Sequence, residues 1–292
     1  MEAKLWRVLI GLTLLVGVLV VGLDRWQARR GEASVFTLFW SLGSRALQKD
    51  PGQAASRAKI PPPRRELVAD KSGARLVIII DDLGYRQDLF EALKEFRRPL
   101  TLAVLPDLPL SKRIATEAPA LGMEVLLHLP MEPYRYPEVD PGAGALRMSM
   151  PPQELEKLTR KYLAQMPTVV GMNTHMGSRM TESRDRMRAV LAVLREKRLL
   201  FVDSLTTNMS VAYDEAKALG LRAARRQIFL DPGFDEASER QQFEDVTRRV
   251  ERGRDTVAIG HGHPMTLRLL HEYLPKWEAL GVRLIPVSQL AS

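Results

Sequence analysis

The chain has 292 residues, with 43 Lys and Arg against 35 Asp and Glu for a net charge of +8, and it has no cysteine. That length allows one large core plus an appendage. The missing thiols exclude disulfides and thiolate zinc sites, so any metal must rest on His, Asp or Glu. Basic residues are scattered in pairs such as Arg29-Arg30, Arg64-Arg65, Arg225-Arg226 and Arg248-Arg249. No basic helix carries interleaved aromatics, so a solvated basic surface is expected and no nucleic-acid partner.

The first element in chain order is the uncharged run Val8–Leu23, flanked by Lys4 and Arg7 before it and by Asp24, Arg25, Arg29 and Arg30 after it. It is short against the roughly 17–25 apolar residues of a membrane span, and Trp6 and Trp26 suit the interfaces. Val20-Val21-Gly22-Leu23-Asp24 offers no small-x-small cleavage site. Residues 1–33 are therefore read as an uncleaved signal-anchor, although the flanking positive charge by itself leans against export. Residues 34–74 read as a flexible tether, with Pro61-Pro62-Pro63-Arg64-Arg65 as a polyproline II spacer.

From residue 75 onward strand and helix patterns alternate. Strands are expected at 76–80, 100–105, 124–129, 169–172, 200–202, 221–223, 257–259 and 283–287. Amphipathic helices are expected at 88–96, 110–121, 152–165, 185–197, 211–219, 238–252 and 266–280. Gly122, Gly220 and Gly281 each follow a helix, where a left-handed residue ends it. Seven or eight such units in about 220 residues imply an α/β fold, a (β/α) barrel or a close relative, over 75–292.

The strand ends carry the chemistry. The first strand, Leu76-Val77-Ile78-Ile79-Ile80, runs into Asp81-Asp82. Its unbroken aliphatic run fits a parallel strand buried on both faces. Two adjacent carboxylates on an extended chain point to opposite sides, so one can bind metal while the other moves a proton. A helix-capping pair is the alternative for the doublet alone. Later strands end near His128, His175, Asp203-Ser204, and His261 with His263. Four of the five histidines thus fall just past strand ends, and His271 lies in a helix as a surface residue. Histidines converging with a carboxylate pair fit a metal site with an open position, the zinc pattern of metal-assisted hydrolysis. Asp203 is read equally as a cap and as a partner beside the metal, Asp231 as a turn residue before Pro232-Gly233, and His263 as a ligand or a neighbour of one.

Six blocks in order resemble the divergent branch of the polysaccharide deacetylase superfamily. They are Ile-Asp-Asp-Leu-Gly at 80–84, His-Leu-Pro-Met-Glu-Pro at 128–133, Asn-Thr-His-Met-Gly-Ser at 173–178, Val-Asp-Ser at 202–204, Phe-Leu-Asp at 229–231 and Ile-Gly-His at 259–261. The resemblance implies a distorted (β/α) barrel, a divalent metal, usually zinc, and removal of acetyl groups from N-acetylated sugars. It maps the base to Asp81, a metal ligand to Asp82, another to His128 and the acid to His261. The second histidine of the family's His-x-x-x-His is Glu132 here, so either Glu132 or His175 completes the set. His175 is preferred because Asn173 and Ser178 flank it as site-building polar residues. The arginine-proline motif of ordinary members is absent. The implied function is hydrolysis of an amide bond in an N-acetylated envelope glycan such as peptidoglycan. It would be carried out by a domain facing the periplasm, on a single-pass anchor in the inner membrane. The rival readings are a non-catalytic glycan-binding scaffold and, less compatible with His128, a phosphoryl-transfer domain.

Overall fold

The computed structural model describes residues 73–292 apart from residue 234. The run Val8–Leu23 and almost all of the tether lie outside the described residues. Among the described residues no helix is long and apolar enough to cross a membrane.

The aliphatic runs become strands and the amphipathic stretches become the helices between them. The order is β1 (Arg75–Leu83), α1 (Gln87–Lys94), β2 (Thr101–Val104), α2 (Ser111–Glu117), β3 (Glu124–Met131), α3 (Pro152–Gln165), β4 (Gly171–Met176) and α4 (Arg184–Glu196). It continues with β5 (Leu200–Asp203), α5 (Ala212–Ala218), β6 (Ala223–Arg225), β7 (Ile228–Phe229), α6 (Glu236–Glu251), β8 (Thr256–His261), α7 (Pro264–Ala279) and β9 (Arg283–Leu284). All pairings are parallel, in the order β6-β5-β4-β3-β2-β1-β8-β7, with β9 beside the start of β1. The sheet curls into a half-barrel whose two ends, β6 and β7, do not pair with each other. The chain crosses that seam in two residues, Arg226 and Gln227. Arg226 N–H still bonds Asp203 O on β5, whereas Gln227 N–H bonds Val257 O on β8.

Alternation along each strand sorts its side chains into two cores. Val77, Ile79, Ala103, Leu126, Leu200, Val202, Val257 and Ile259 form a cluster with no residue from α1–α7, which is the inside of the curl. Leu76, Ile78, Ile80, Leu102, Val104, Val125 and Leu127 join side chains of the helices on the outside. This is why β1 shows no polar alternation in the sequence. Fully burying one such aliphatic side chain stabilises the fold by about 1.5–3 kcal/mol; Ile78→Ala, at a site with no exposure, would cost about 2–5 kcal/mol. The C-terminal turn Val287–Gln289 closes the amino end of the curl. Val287 N–H bonds Thr101 Oγ1, and Ser288 N–H bonds Glu124 Oε2.

Departures from the expected boundaries have local causes. The expected helix 110–121 becomes α2 and a 3-10 turn, Ala118–Leu121. Pro119 has no N–H to continue the ladder, and Ala115 O accepts from Thr168 Oγ1 instead. The last strand stops at Leu284 because Pro286 precedes the 3-10 turn. The strand at 228–229 was not expected, since two residues carry no periodicity. Gly122, Gly220 and Gly281 do adopt positive φ, at 77°, 75° and 80°.

Candidate metal centre and active site

The inward parity of the strands delivers the site. Val77 and Ile79 are followed on the same face by Asp81, Leu126 by His128, Val257 and Ile259 by His261. On β4, Asn173 and His175 share one face. The apolar inside of the curl therefore ends, at the carboxyl ends of the strands, in a polar layer. Asp82 breaks parity and still reaches the same cleft. Its φ is 60°, and the β1–β2 register shifts between Ile80 and Leu83. The expected division of the two carboxylates to opposite sides is thus corrected. A bulge turns Asp82 back so that both face one cleft.

Asp82 Oδ1 lies 2.7 Å from His175 Nδ1 and 3.1 Å from His128 Nε2, and the two ring nitrogens are 3.2 Å apart. Asp82 Oδ1 is buried and has no donor in hydrogen-bonding geometry. Three electron-pair donors, one carboxylate oxygen and two imidazole nitrogens, thus converge on one point. One carboxylate oxygen and two imidazole nitrogens this close together would suit a zinc ion. Burial opposes the charge on Asp82, but the close approach of the His128 and His175 rings holds its carboxyl well below the usual range.

A second chain of contacts orients His128. Asn173 Nδ2 donates to Asp81 Oδ1 at 2.8 Å, so Asn173 Oδ1 is left to accept from His128 Nδ1, also at 2.8 Å. That amide polarity puts a proton on Nδ1 and turns Nε2 toward Asp82 and His175. Asp81 is buried, and burial raises its pKa against the pull of His128, Asn173 and His261. His261 approaches from β8, with Nε2 3.5 Å from Asp82 Oδ2.

Asp231 holds His261. Its Oδ2 accepts the His261 backbone N–H at 2.7 Å and the Thr266 hydroxyl at 2.9 Å, while Oδ1 is 3.1 Å from His261 Nδ1. Burial disfavours the charged imidazole, but the bond to Asp231 and the charges of Asp231, Asp82 and Asp81 push His261 up to about 9. The pairing with Asp231 thus favours the protonated, donor form of the ring. Asp231, expected as a turn residue, is instead the fully buried partner of His261.

The remaining expectations separate. Glu132 is buried away from the cleft, accepting from Arg179 Nη1 at 2.7 Å and Met148 N–H at 3.0 Å, so it does not complete the donor set. Ser178 Oγ accepts the Tyr134 N–H and braces a loop. Asp203 accepts from Leu205 N–H, Ser210 Oγ and Tyr213 N–H, which makes it a turn and cap residue. His263 is exposed at the start of α7, its ring 5.6 Å from that of His261. His271 stacks on Phe96 at 4.0 Å. The cleft, about 410 Å3, is lined by Asp81, Asp82, His128, His175, His261 and Arg226 among others. In the sequence Arg226 reads only as half of one more basic pair.

The model of the divergent polysaccharide deacetylase family matches residues 78–291. The chain belongs to that family. As a divergent polysaccharide deacetylase it is 37% identical over 198 residues to the uncharacterized protein YibQ of Escherichia coli (strain K12), covering 68% of this chain and 61% of that one. It is 33% identical over 197 residues to an uncharacterized protein of Haemophilus influenzae, covering 68% and 70% respectively. The chain thus spans about three fifths of the length of its Escherichia coli relative. The crystal structure of the uncharacterized protein ATU2773 from Agrobacterium tumefaciens shares its fold, with a TM-score of 0.69 at 22% identity, over 75% of this chain and 89% of that one.

Proposed function

We propose that this divergent polysaccharide deacetylase is a metal-dependent amide hydrolase that removes acetyl groups from an N-acetylated envelope glycan, peptidoglycan being the natural class. The observation that carries this reading is the convergence of Asp82, His128 and His175 beside a buried carboxylate, Asp81, and an imidazole, His261, paired with Asp231. A divalent cation held by the three donors, zinc by their N/O character, supplies carbonyl polarisation and acidification of water. Asp81 stands where it can take the proton of the attacking water. His261, held by Asp231, gives its proton to the nitrogen as the C–N bond breaks, leaving acetate and a free amine. Asn173 fixes both Asp81 and the ring of His128. Because His128 and His175 must be unprotonated to bind a cation, metal affinity falls as pH falls.

The reading extends to location. Val8–Leu23 anchors the chain in the inner membrane, and residues 75–292 face the periplasm, where the glycan lies. The deciding experiment is acetate release from N-acetylated glycan strands by the zinc-loaded protein, compared with the chelated protein. If metal-loaded protein binds such strands but releases no acetate from any of them, the non-catalytic scaffold replaces the hydrolase.

A further inference from the structure

Arg226 occupies the seam of the half-barrel, between β6 on one edge and β7 on the other, and it lines the cleft. Backbone clamps one edge of its guanidinium: Nε donates to Ser204 O at 2.6 Å and Nη2 to Leu205 O at 2.7 Å. The group lies over the Phe229 ring at 5.0 Å. Nη1 has no protein partner among the described residues, nor does any carboxylate there stand within ion-pair distance of Arg226; Asp203 and Asp81 act on it only at longer range. The adjacent Arg225 differs: it pairs with Asp214 at 3.6 Å and stacks on Tyr213 at 4.6 Å.

A half-buried guanidinium stays charged, and taking it out of water is costly unless an anion compensates. Burial does pull on it, lowering its pKa from the ordinary arginine value. The carbonyls orient the fork and leave its outer end, Nη1 with the second hydrogen of Nη2, unpaired on a side chain that lines the cleft. That end matches the two oxygens of a carboxylate. The charge balance of the cleft points the same way. Asp81 and Asp82 together offset one divalent cation, and Asp231 offsets His261, so Arg226 is the surplus charge among the groups lining the cleft. A neutral sugar hydroxyl could accept one bond from it but would not neutralise it.

We propose that Arg226 reads an anionic group on the substrate, so that the preferred glycan carries a carboxylate close to the N-acetyl group presented to the metal centre. This rests on the hydrolase reading for the orientation of the sugar, but the binding step stands without turnover. N-Acetylmuramic acid whose lactyl carboxyl is free, not amide-linked to a peptide, has the required carboxylate on the ring that bears the acetamide; N-acetylglucosamine lacks it.

The test is calorimetric titration of the zinc-loaded, full-length protein with two disaccharides, N-acetylglucosaminyl-N-acetylmuramic acid and N,N′-diacetylchitobiose. Wild type should bind the acidic one at least about tenfold more tightly, the scale of one charge-assisted contact. Arg226→Gln should remove that preference while leaving chitobiose affinity and zinc stoichiometry unchanged. Arg226→Lys, a point charge without the fork, should restore only part of it. Equal affinity of wild type for both sugars, no binding of either, equal losses in Arg226→Gln, or loss of its zinc would each overturn the assignment. Acetate is not measured here. A protein that binds the acidic sugar but never deacetylates it leaves this inference standing and overturns only the hydrolase reading.

Discussion

On the β1–β3–β4 side of the cleft, Asp82, His128 and His175 meet through side chains alone, and the buried Asp82 Oδ1 has no suitable donor. On the β6–β7–β8 side, Asp231 accepts three hydrogen bonds and Arg226 is clamped by two carbonyls. One half leaves a buried oxygen open, where the proposed cation would sit. In the other, the carboxylate of Asp231 is already satisfied by the protein. A buried oxygen left without a partner costs about 1–3 kcal/mol, a cost that the proposed cation would relieve. A satisfied carboxylate such as Asp231 instead fixes the charge state and aim of its partner.

The contrast can be broken by removing one member at a time. His128→Ala should abolish stoichiometric zinc binding, measured by metal analysis after dialysis, because two donors remain where three converge. Asp81→Asn keeps shape and removes basicity; kcat for acetate release should fall by at least ~10²-fold with zinc still bound. Asn173→Ala touches neither zinc nor substrate directly. It should weaken zinc by about 10–100-fold, the usual cost of losing the group that orients a ligand, as read by competition with a chromophoric chelator. Asp231→Asn should leave zinc affinity intact and act only on proton transfer. His261, now up to about 9, falls toward its ordinary value of ~6.5, so the alkaline limb of the kcat profile moves to lower pH by about 1–3 units. The sign also holds for stability. A raised imidazole pKa stabilises the fold below ~6.5, and that contribution fades as pH rises through about 9.

The first half of the site was more legible in the sequence than the second. Aliphatic runs ending in Asp81-Asp82, His128 and His261 place those residues at strand ends by pattern alone. The bulge at Asp82 was not legible, because a φ of 60° at an aspartate leaves no mark in composition. Glu132 misleads for a similar reason. Its spacing from His128 suggests a shared face, but β3 ends at Met131 and the next backbone bonds Leu146, turning the carboxylate to Arg179. Asp231 and Arg226 flank a strand two residues long. Their partners lie 30 residues ahead at His261 and about 20 behind at Ser204 and Leu205, and no local period links them.

The central place of β1 in the sheet sets an order of assembly. β1 pairs with β2 across a short helical connection, but Leu76 pairs with Thr256 on β8 across most of the domain. Closing that long loop costs more chain entropy than closing the short ones. A chain emerging amino end first has Asp82, His128 and His175 all present by the end of β4, before β8 exists to bring His261. On the proposed reading, the half with Asp82, His128 and His175 can form, and be stabilised by a cation, while the half with His261 is still to come. Activity would then be the last property acquired in folding, and refolding experiments should see zinc uptake precede it.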